Sequence, residues 1–479
     1  MSKNLPYPQN VFYYFYKISQ IPRGSGNTKA ISDYCAEFAE KNNFWYSQDG
    51  YNNIIIKKNA TLGYEKKPAV IIQGHLDMVC EKTADSDINF EKDGLRLIYN
   101  GDYIHAENTT LGADDGIAVA YALALLDSTD IPHPPLEIVL TSDEETGMDG
   151  AINLDFSRIS GRTLLNIDSE NEGVFTVSCA GGICCEGKFP FKPLSVFSAG
   201  ANIRIYGLLG GHSGVEIGNN RTNANIIAGK LLSALLKIPG VQLSSINGGT
   251  KHNAIPNECS ITLAFDCNES VITKAVEEFA QNLKVKLSDN EPNFDISCTV
   301  SPNKKFTVTD NKTAESIAEF LCAVHDGVKT MSPDIDGLVQ TSSNLGILKT
   351  EENSIYFLSS IRSSEETENK ALCESISDTA KKFGASVHIS GYYPAWEYKR
   401  DSHLRDVMCA VYKKQYNKEP VIEAVHAGLE CGIFCGKAKN LDCVSFGPDI
   451  FDIHTVKEKL SVPSVGRVWE FIKEVLISL

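Results

Sequence analysis

Basic charge is scarce in this 479-residue chain: 45 lysines and arginines face 61 aspartates and glutamates, a formal net charge of −16. A surface of that sign repels phosphate backbones and anionic lipid, which excludes nucleic acid and an acidic membrane as main partners. It is compatible with an acidic pocket that holds cations, although most of these acids are plain solvated surface. CxxC pairs and any regular cysteine framework are also missing. The 14 cysteines are scattered, as at Cys35, Cys80, Cys184, Cys185 and Cys409. They read as reduced, mostly buried thiols of a reducing compartment, not as a disulfide scaffold. Long apolar runs are absent from the first residues, MSKNLPYPQNVFYYFYKISQIPR, which prolines and charges interrupt. That segment has neither a signal-peptide core nor a membrane span, so the expected location is the cytoplasm.

What is present describes an ordinary globular protein, with 42% hydrophobic and 22% charged residues, long enough for two or three domains. Apolar strand-like runs at 68–73, 136–141 and 163–167 alternate with helical patterns. Gly116 to Leu126 is apolar almost all round and reads as a buried helix. Strand–helix alternation predicts an α/β catalytic domain with a mixed sheet between helices. After Ala180-Gly181-Gly182 the character changes. Two similar β-α-β-β-α-type halves follow, the first opening on NIRIYG and the second on DISCTVS. They predict an inserted α+β domain over 183–390, between catalytic segments 1–182 and 391–479.

Five short segments carry chemistry: His75-Leu76-Asp77, Gly112-Ala113-Asp114-Asp115-Gly116, Asp143-Glu144-Glu145-Thr146-Gly147, Asn166-Ile167-Asp168 and Asp452-Ile453-His454. Singly, each has an ordinary reading as a turn, a helix cap or a solvated charge patch. Together they repeat one placement, because four of the five follow an apolar strand, where sites form in open α/β sheets. The fifth opens the buried helix, whose N-terminal dipole favours a carboxylate. Histidine and carboxylate ligands suit zinc, manganese or cobalt. One arrangement gives each of two ions three ligands: His75 and Asp168 on one, Glu145 and His454 on the other, Asp114 bridging. Asp77 is placed to orient His75 through its other ring nitrogen. Glu144 is left as general base, provided that a turn, helped by Gly147, brings it and Glu145 to one site. Histidines 105, 133, 325, 388 and 403 lack such company and read as structural or surface. His252 and His426 stay open.

The segments GHLDMV, TTLGADDGIA, TSDEETGMDGA, NIDSE, GGHSG, NAIP, HAGLECG and DIHTVKEKL resemble the aminoacyl-histidine dipeptidases, within the clan of co-catalytic zinc peptidases. The resemblance runs over nearly the whole chain, in the family's order. It implies two zinc ions per chain, replaceable by cobalt or manganese, held by His75, Asp114, Glu145, Asp168 and His454. It implies Asp77 and Glu144 as catalytic and a cis bond between Asp114 and Asp115, where many relatives carry asparagine at the second position. The inserted domain would be a lid that contributes His212 of GGHSG, with Asn253 of NAIP and Arg362 of SSIRSS as further substrate contacts. The expected substrates are unblocked dipeptides, Xaa-His among them. A homodimer is left open. The competing expectation is an amidohydrolase or deacylase that acts on N-acyl amino acids with the same metals.

Overall fold

The computed structural model describes residues 5–479. They form two compact units, one of residues 5–178, 398–424 and 429–479, the other of 179–397 and 425–428. Among the described residues no helix is long and apolar enough to cross a membrane. Of the 14 cysteines seven are buried, six are partly buried and Cys322 is exposed.

The first unit is built on an eight-stranded sheet. At its centre lie Leu136–Thr141, Val70–His75, Thr163–Asn166 and Asp442–Ser445, each parallel to its neighbour. Every residue of the first two strands is buried, as expected of parallel strands covered on both faces. Parallel strands end on the same edge. The chain therefore leaves that edge four times, towards Asp77, Glu144 and Glu145, Asp168 and His454 in turn. The helix Ala113–Asp127 packs on Val70–His75 and is buried nearly all round. Its Tyr121 donates to Val465 O at 2.9 Å and stacks on Trp469 of the C-terminal helix Val462–Ser478. A second, four-stranded sheet pairs Ile450–Phe451 with Lys459–Ser461. The loop between those two strands carries His454.

The second unit holds a nine-stranded sheet. Its helices Ala224–Leu235, Glu269–Leu287 and Asn311–Ala323 begin on Asn223, Asn268 and Asp310, whose side chains accept the backbone N–H groups of Asn225, Ser270 and Thr313. Such caps satisfy donors that a helix start leaves open. With Glu366–Lys382 these helices share one apolar core against the sheet. The sheet divides into two four-strand sets, and a ninth strand, Gly327–Met331, pairs with Val339–Thr350 of the second. One runs Asp295–Val308, Leu194–Tyr206, Cys259–Phe265, Val241–Gly248; the other runs Val339–Thr350, Ser354–Ser363, Gly181–Pro190, Ser386–Tyr393. Among the described residues their strand register joins them at two residue pairs, Asn247 with Lys349 and Gly248 with Leu348.

Here the strand order differs from the sequence expectation. The strand containing DISCTVS does not open the second half. It pairs with Leu194–Tyr206 and closes the first half as an edge strand. The second set takes its corresponding strand from Gly181–Pro190, before the first half begins. Val241–Gly248 is an additional strand of the first set. Its bulge between Leu243 and Ser245 interrupts the two-residue alternation by which a strand is recognised.

Candidate metal centre

Two histidines and four carboxylates converge at the strand ends of the first unit. His75 is the last residue of its strand, and its ring is buried. Its Nε2 lies 3.1 Å from Asp114 Oδ1 and 3.6 Å from Asp168 Oδ1, and its Nδ1 lies 3.3 Å from Asp77 Oδ1. His454, on the hairpin loop, places Nε2 3.1 Å from Asp114 Oδ2 and 2.9 Å from Glu145 Oε1. Asp114 thus turns one oxygen to each histidine. The peptide bond between Asp114 and Asp115 is cis.

The turn after Leu136–Thr141 explains how adjacent acids serve one site. Asp143 takes a left-handed conformation with φ of 55°, Gly147 has φ of 134°, and the Gly147 N–H donates to Glu144 O at 3.1 Å. Extended alternation is broken at the point where Glu144 and Glu145 would otherwise face apart. Asp77 stabilises the same turn. It accepts the amides of Glu144 at 3.1 Å and Glu145 at 3.3 Å, and the Ser25 hydroxyl at 2.7 Å. Burial alone would raise its pKa, but these donors and His75 hold it at about 2. One buried carboxylate therefore lies against the His75 ring and also accepts from the Glu144–Glu145 segment.

The electrostatics call for positive charge. Burial works against a charged His75, yet Asp114, Asp168 and Asp77 outweigh it and raise its pKa. His454 is pushed up to about 10 by Asp114 and Glu145. Burial, reinforced by Asp168, Glu430 and Glu145, drives Glu144 well above the usual carboxylate range, although His75 pulls the other way. Candidate ligand atoms of His75, Asp114 and Glu145 lie within 4.8 Å of one another, as do those of His75, Asp115 and Asp168. A cluster with this donor set and this surplus of negative charge fits divalent cations.

A model of the peptidase family M20/M25/M40 matches residues 71–478. The chain belongs to this family. Over 472 residues it is 34% identical to the cytosol non-specific dipeptidase of Escherichia coli (strain K12), covering 98% of this chain and 97% of that one. It also matches the crystal structure of aminoacylhistidine dipeptidase from Vibrio alginolyticus, with a TM-score of 0.91 and 34% identity over 99% of this chain and 97% of that one. An aminopeptidase of Bacillus cereus shares the fold, with a TM-score of 0.57 and 16% identity over 99% of both chains.

In this M20 peptidase the remaining three sequence candidates belong to the second unit. His212 sits in a two-residue strand paired with Ala254–Ile255. Its Nδ1 accepts the backbone N–H groups of Gly214 and Val215, both at 3.2 Å. Those bonds make Nδ1 the acceptor, which leaves Nε2 to carry the ring proton of the neutral imidazole. Asn253 lies in the turn opposite, and its carbonyl accepts the Ser213 N–H at 2.9 Å. Arg362 is buried on Ser354–Ser363, where Nη1 donates to the Tyr393 hydroxyl at 2.8 Å and Nε has no hydrogen-bond partner among the described residues. His426, left open by the sequence, is buried in this unit with Nε2 2.7 Å from Ser342 Oγ. Burial first, then Arg362, lower its pKa to about 3.

Behind the candidate ligands the M20 site has a buried polar layer, whose residues fall in or beside the segments quoted from the sequence without a role assigned to them there. Glu430 Oε2 accepts from Gln73 Nε2 at 2.6 Å and from the Thr141 hydroxyl at 2.7 Å, and Gln73 Oε1 accepts from Asn166 at 2.5 Å. Gln73, Thr141 and Asn166 lie one or two positions before His75, Ser142 and Asp168, and Glu430 opens the helix Glu430–Lys437. Thr141, Asn166 and Glu430 stand inside the quoted segments TSDEETGMDGA, NIDSE and HAGLECG, but nothing in the sequence shows that they meet.

Proposed function

We propose that this M20 peptidase hydrolyses unblocked dipeptides, Xaa-His among them, at a centre of two zinc ions held by His75, Asp114, Glu145, Asp168 and His454. The observation that carries the reading is Asp114, whose two carboxylate oxygens each lie 3.1 Å from a different histidine. His75 and Asp168 would hold one ion and Glu145 and His454 the other. When bound, divalent cations supply Lewis-acid polarisation and water activation, for which zinc, cobalt and manganese are all suited. Glu144 takes the proton of the attacking water on a carboxylate oxygen and returns it to the leaving amine. Asp77 keeps the His75 ring and the Glu144–Glu145 turn in place. In this reading residues 1–182 and 391–479 form the catalytic domain and 183–390 the inserted lid. Arg362 grips the dipeptide's carboxylate, Asn253 supports it, and His212 donates from Nε2 to the developing oxyanion. The names of the two relatives that are 34% identical support the dipeptide class, and the name of the Escherichia coli relative, a cytosol dipeptidase, supports a cytoplasmic location.

The test is hydrolysis of Ala-His, Leu-Gly and N-acetyl-leucine by chelator-treated protein, before and after zinc is returned. Cleavage of both dipeptides only with zinc is expected. Full activity in a verified metal-free sample overturns the metal assignment. Cleavage of N-acetyl-leucine with neither dipeptide touched replaces the dipeptidase with a deacylase.

A further inference from the structure

We propose that Arg23 and Glu458 are positioning residues that set the carboxylate of Asp114 by gripping the backbone of its loop, one through the carbonyls and the other through the amides. This rests on the two-cation reading above. Both side chains are almost wholly buried. Glu458 Oε2 accepts the N–H groups of Leu111 at 2.8 Å and Gly112 at 3.0 Å. Its Oε1 accepts those of Ala113 at 2.7 Å and Asp114 at 3.5 Å. Arg23 Nη1 donates to Leu76 O at 2.9 Å and Asp77 O at 2.8 Å, and Nη2 donates to Gly112 O. Gly112 is therefore held at both of its polar atoms. Its φ of 64° is left-handed, and a Cβ there would sit 2.6 Å from Arg23 Nη2 and 2.7 Å from Met78 Sδ. A Cβ on Gly116 would sit 2.4 Å from the same Nη2. The glycines of GADDG leave the space in which the guanidinium lies.

An ordinary capping acid is close in sequence and bonds one or two amides of its own helix. Glu458 instead reaches amides 344 to 347 positions away and serves four of them. It also follows His454 by four residues on the same hairpin loop, so it ties the His454 loop to the Asp114 loop. Arg23 ties the Asp114 loop to the chain leaving His75. Three of the five ligand segments are thus fastened by two side chains that are not ligands. A carboxylate shared between two cations tolerates little misplacement, and groups that orient ligands typically contribute ~10–100-fold in metal affinity or activity.

The experiment is zinc affinity by chelator competition on the wild type, Glu458→Gln and Arg23→Lys, with kcat at saturating zinc and circular dichroism alongside. An amide at 458 keeps one acceptor oxygen and turns a donor towards donors. A lysine at 23 lacks the planar fork that reaches the three carbonyls of Leu76, Asp77 and Gly112. The expected result is ~10–100-fold weaker zinc binding in both variants, native dichroism, and kcat that rises towards wild type as zinc is added. Unchanged zinc affinity with a lowered melting temperature would overturn the proposal, because it leaves the pair as structural support only. Should Glu458→Gln not fold, Glu458→Asp is measured. It keeps the charge but withdraws both oxygens by one methylene, so wild-type zinc affinity in that variant also overturns the proposal. Absence of divalent binding by the wild type removes the two-cation reading itself, an outcome visible before any variant is compared.

Discussion

Glu144 and Glu145 are adjacent, yet only Glu145 touches a histidine of the centre, at 2.9 Å from His454. Their replacement should therefore separate. Glu144→Gln is expected to retain metal and fold while kcat falls ~10²-fold or more, the scale of lost general acid–base catalysis. Glu145→Gln is expected to lose metal affinity first. Metal analysis beside kinetics distinguishes the two, and the reverse pattern would exchange their roles. Glu430 offers a test of a different kind. Burial raises its pKa to about 8, from a usual 4.5. Between those values the folded chain holds a proton that the unfolded chain has released. Stability of metal-free protein should thus decline as pH rises from about 4.5 to 8. Glu430→Gln, which does not titrate, should flatten that decline, as followed by urea denaturation at several pH values. An unchanged slope would mean that Glu430 contributes nothing to it.

Among the elements of the second unit, the helices Ala224–Leu235 and Asn311–Ala323 come closest at Gly229. A Cβ there would lie 2.2 Å from Leu321 Cβ. Gly229→Ala should force the helices apart and cost roughly 1–3 kcal/mol, the usual range for overpacking, against the gain in helix propensity expected at an exposed site. A shift of the urea midpoint to higher concentration would contradict this. The elements also show what a sequence discloses. The strands ending at His75, Thr141 and Asn166 are legible because a buried strand is an apolar run and its polar exit stands out. HLD, DEE and NID mark the ends of those strands without any view of the fold. Val241–Gly248 is illegible because its bulge moves the apolar positions out of step. Arg23 and Glu458 are illegible for another reason: their partners are backbone groups, which every residue has, and only the folded chain shows which of them converge.

For the molecule as a whole, substrate length is the discriminating measurement. If Arg362 reads the carboxylate of a dipeptide, Arg362→Ala should raise KM for Leu-Gly and leave Leu-Gly amide nearly unaffected, with pentapeptides poor substrates throughout. Equal losses on acid and amide would remove that role. His212→Ala should instead depress kcat on both, since a bond to a developing oxyanion strengthens only in the transition state. The nine-stranded sheet has its own consequence at this scale. Among the described residues the strand register of its two sets meets at two pairs, Asn247 with Lys349 and Gly248 with Leu348, so little of what joins them is backbone pairing. The join draws on side chains: Thr350 bonds Ile246 and Asn247, and the Asn223 and Asn225 amides donate to Leu345 O. Solvent deuterium should therefore enter the amides along that line well before those inside either set. A chain pulled from points on opposite sides of the line should part there first, yielding two stable plates in place of one unravelling sheet.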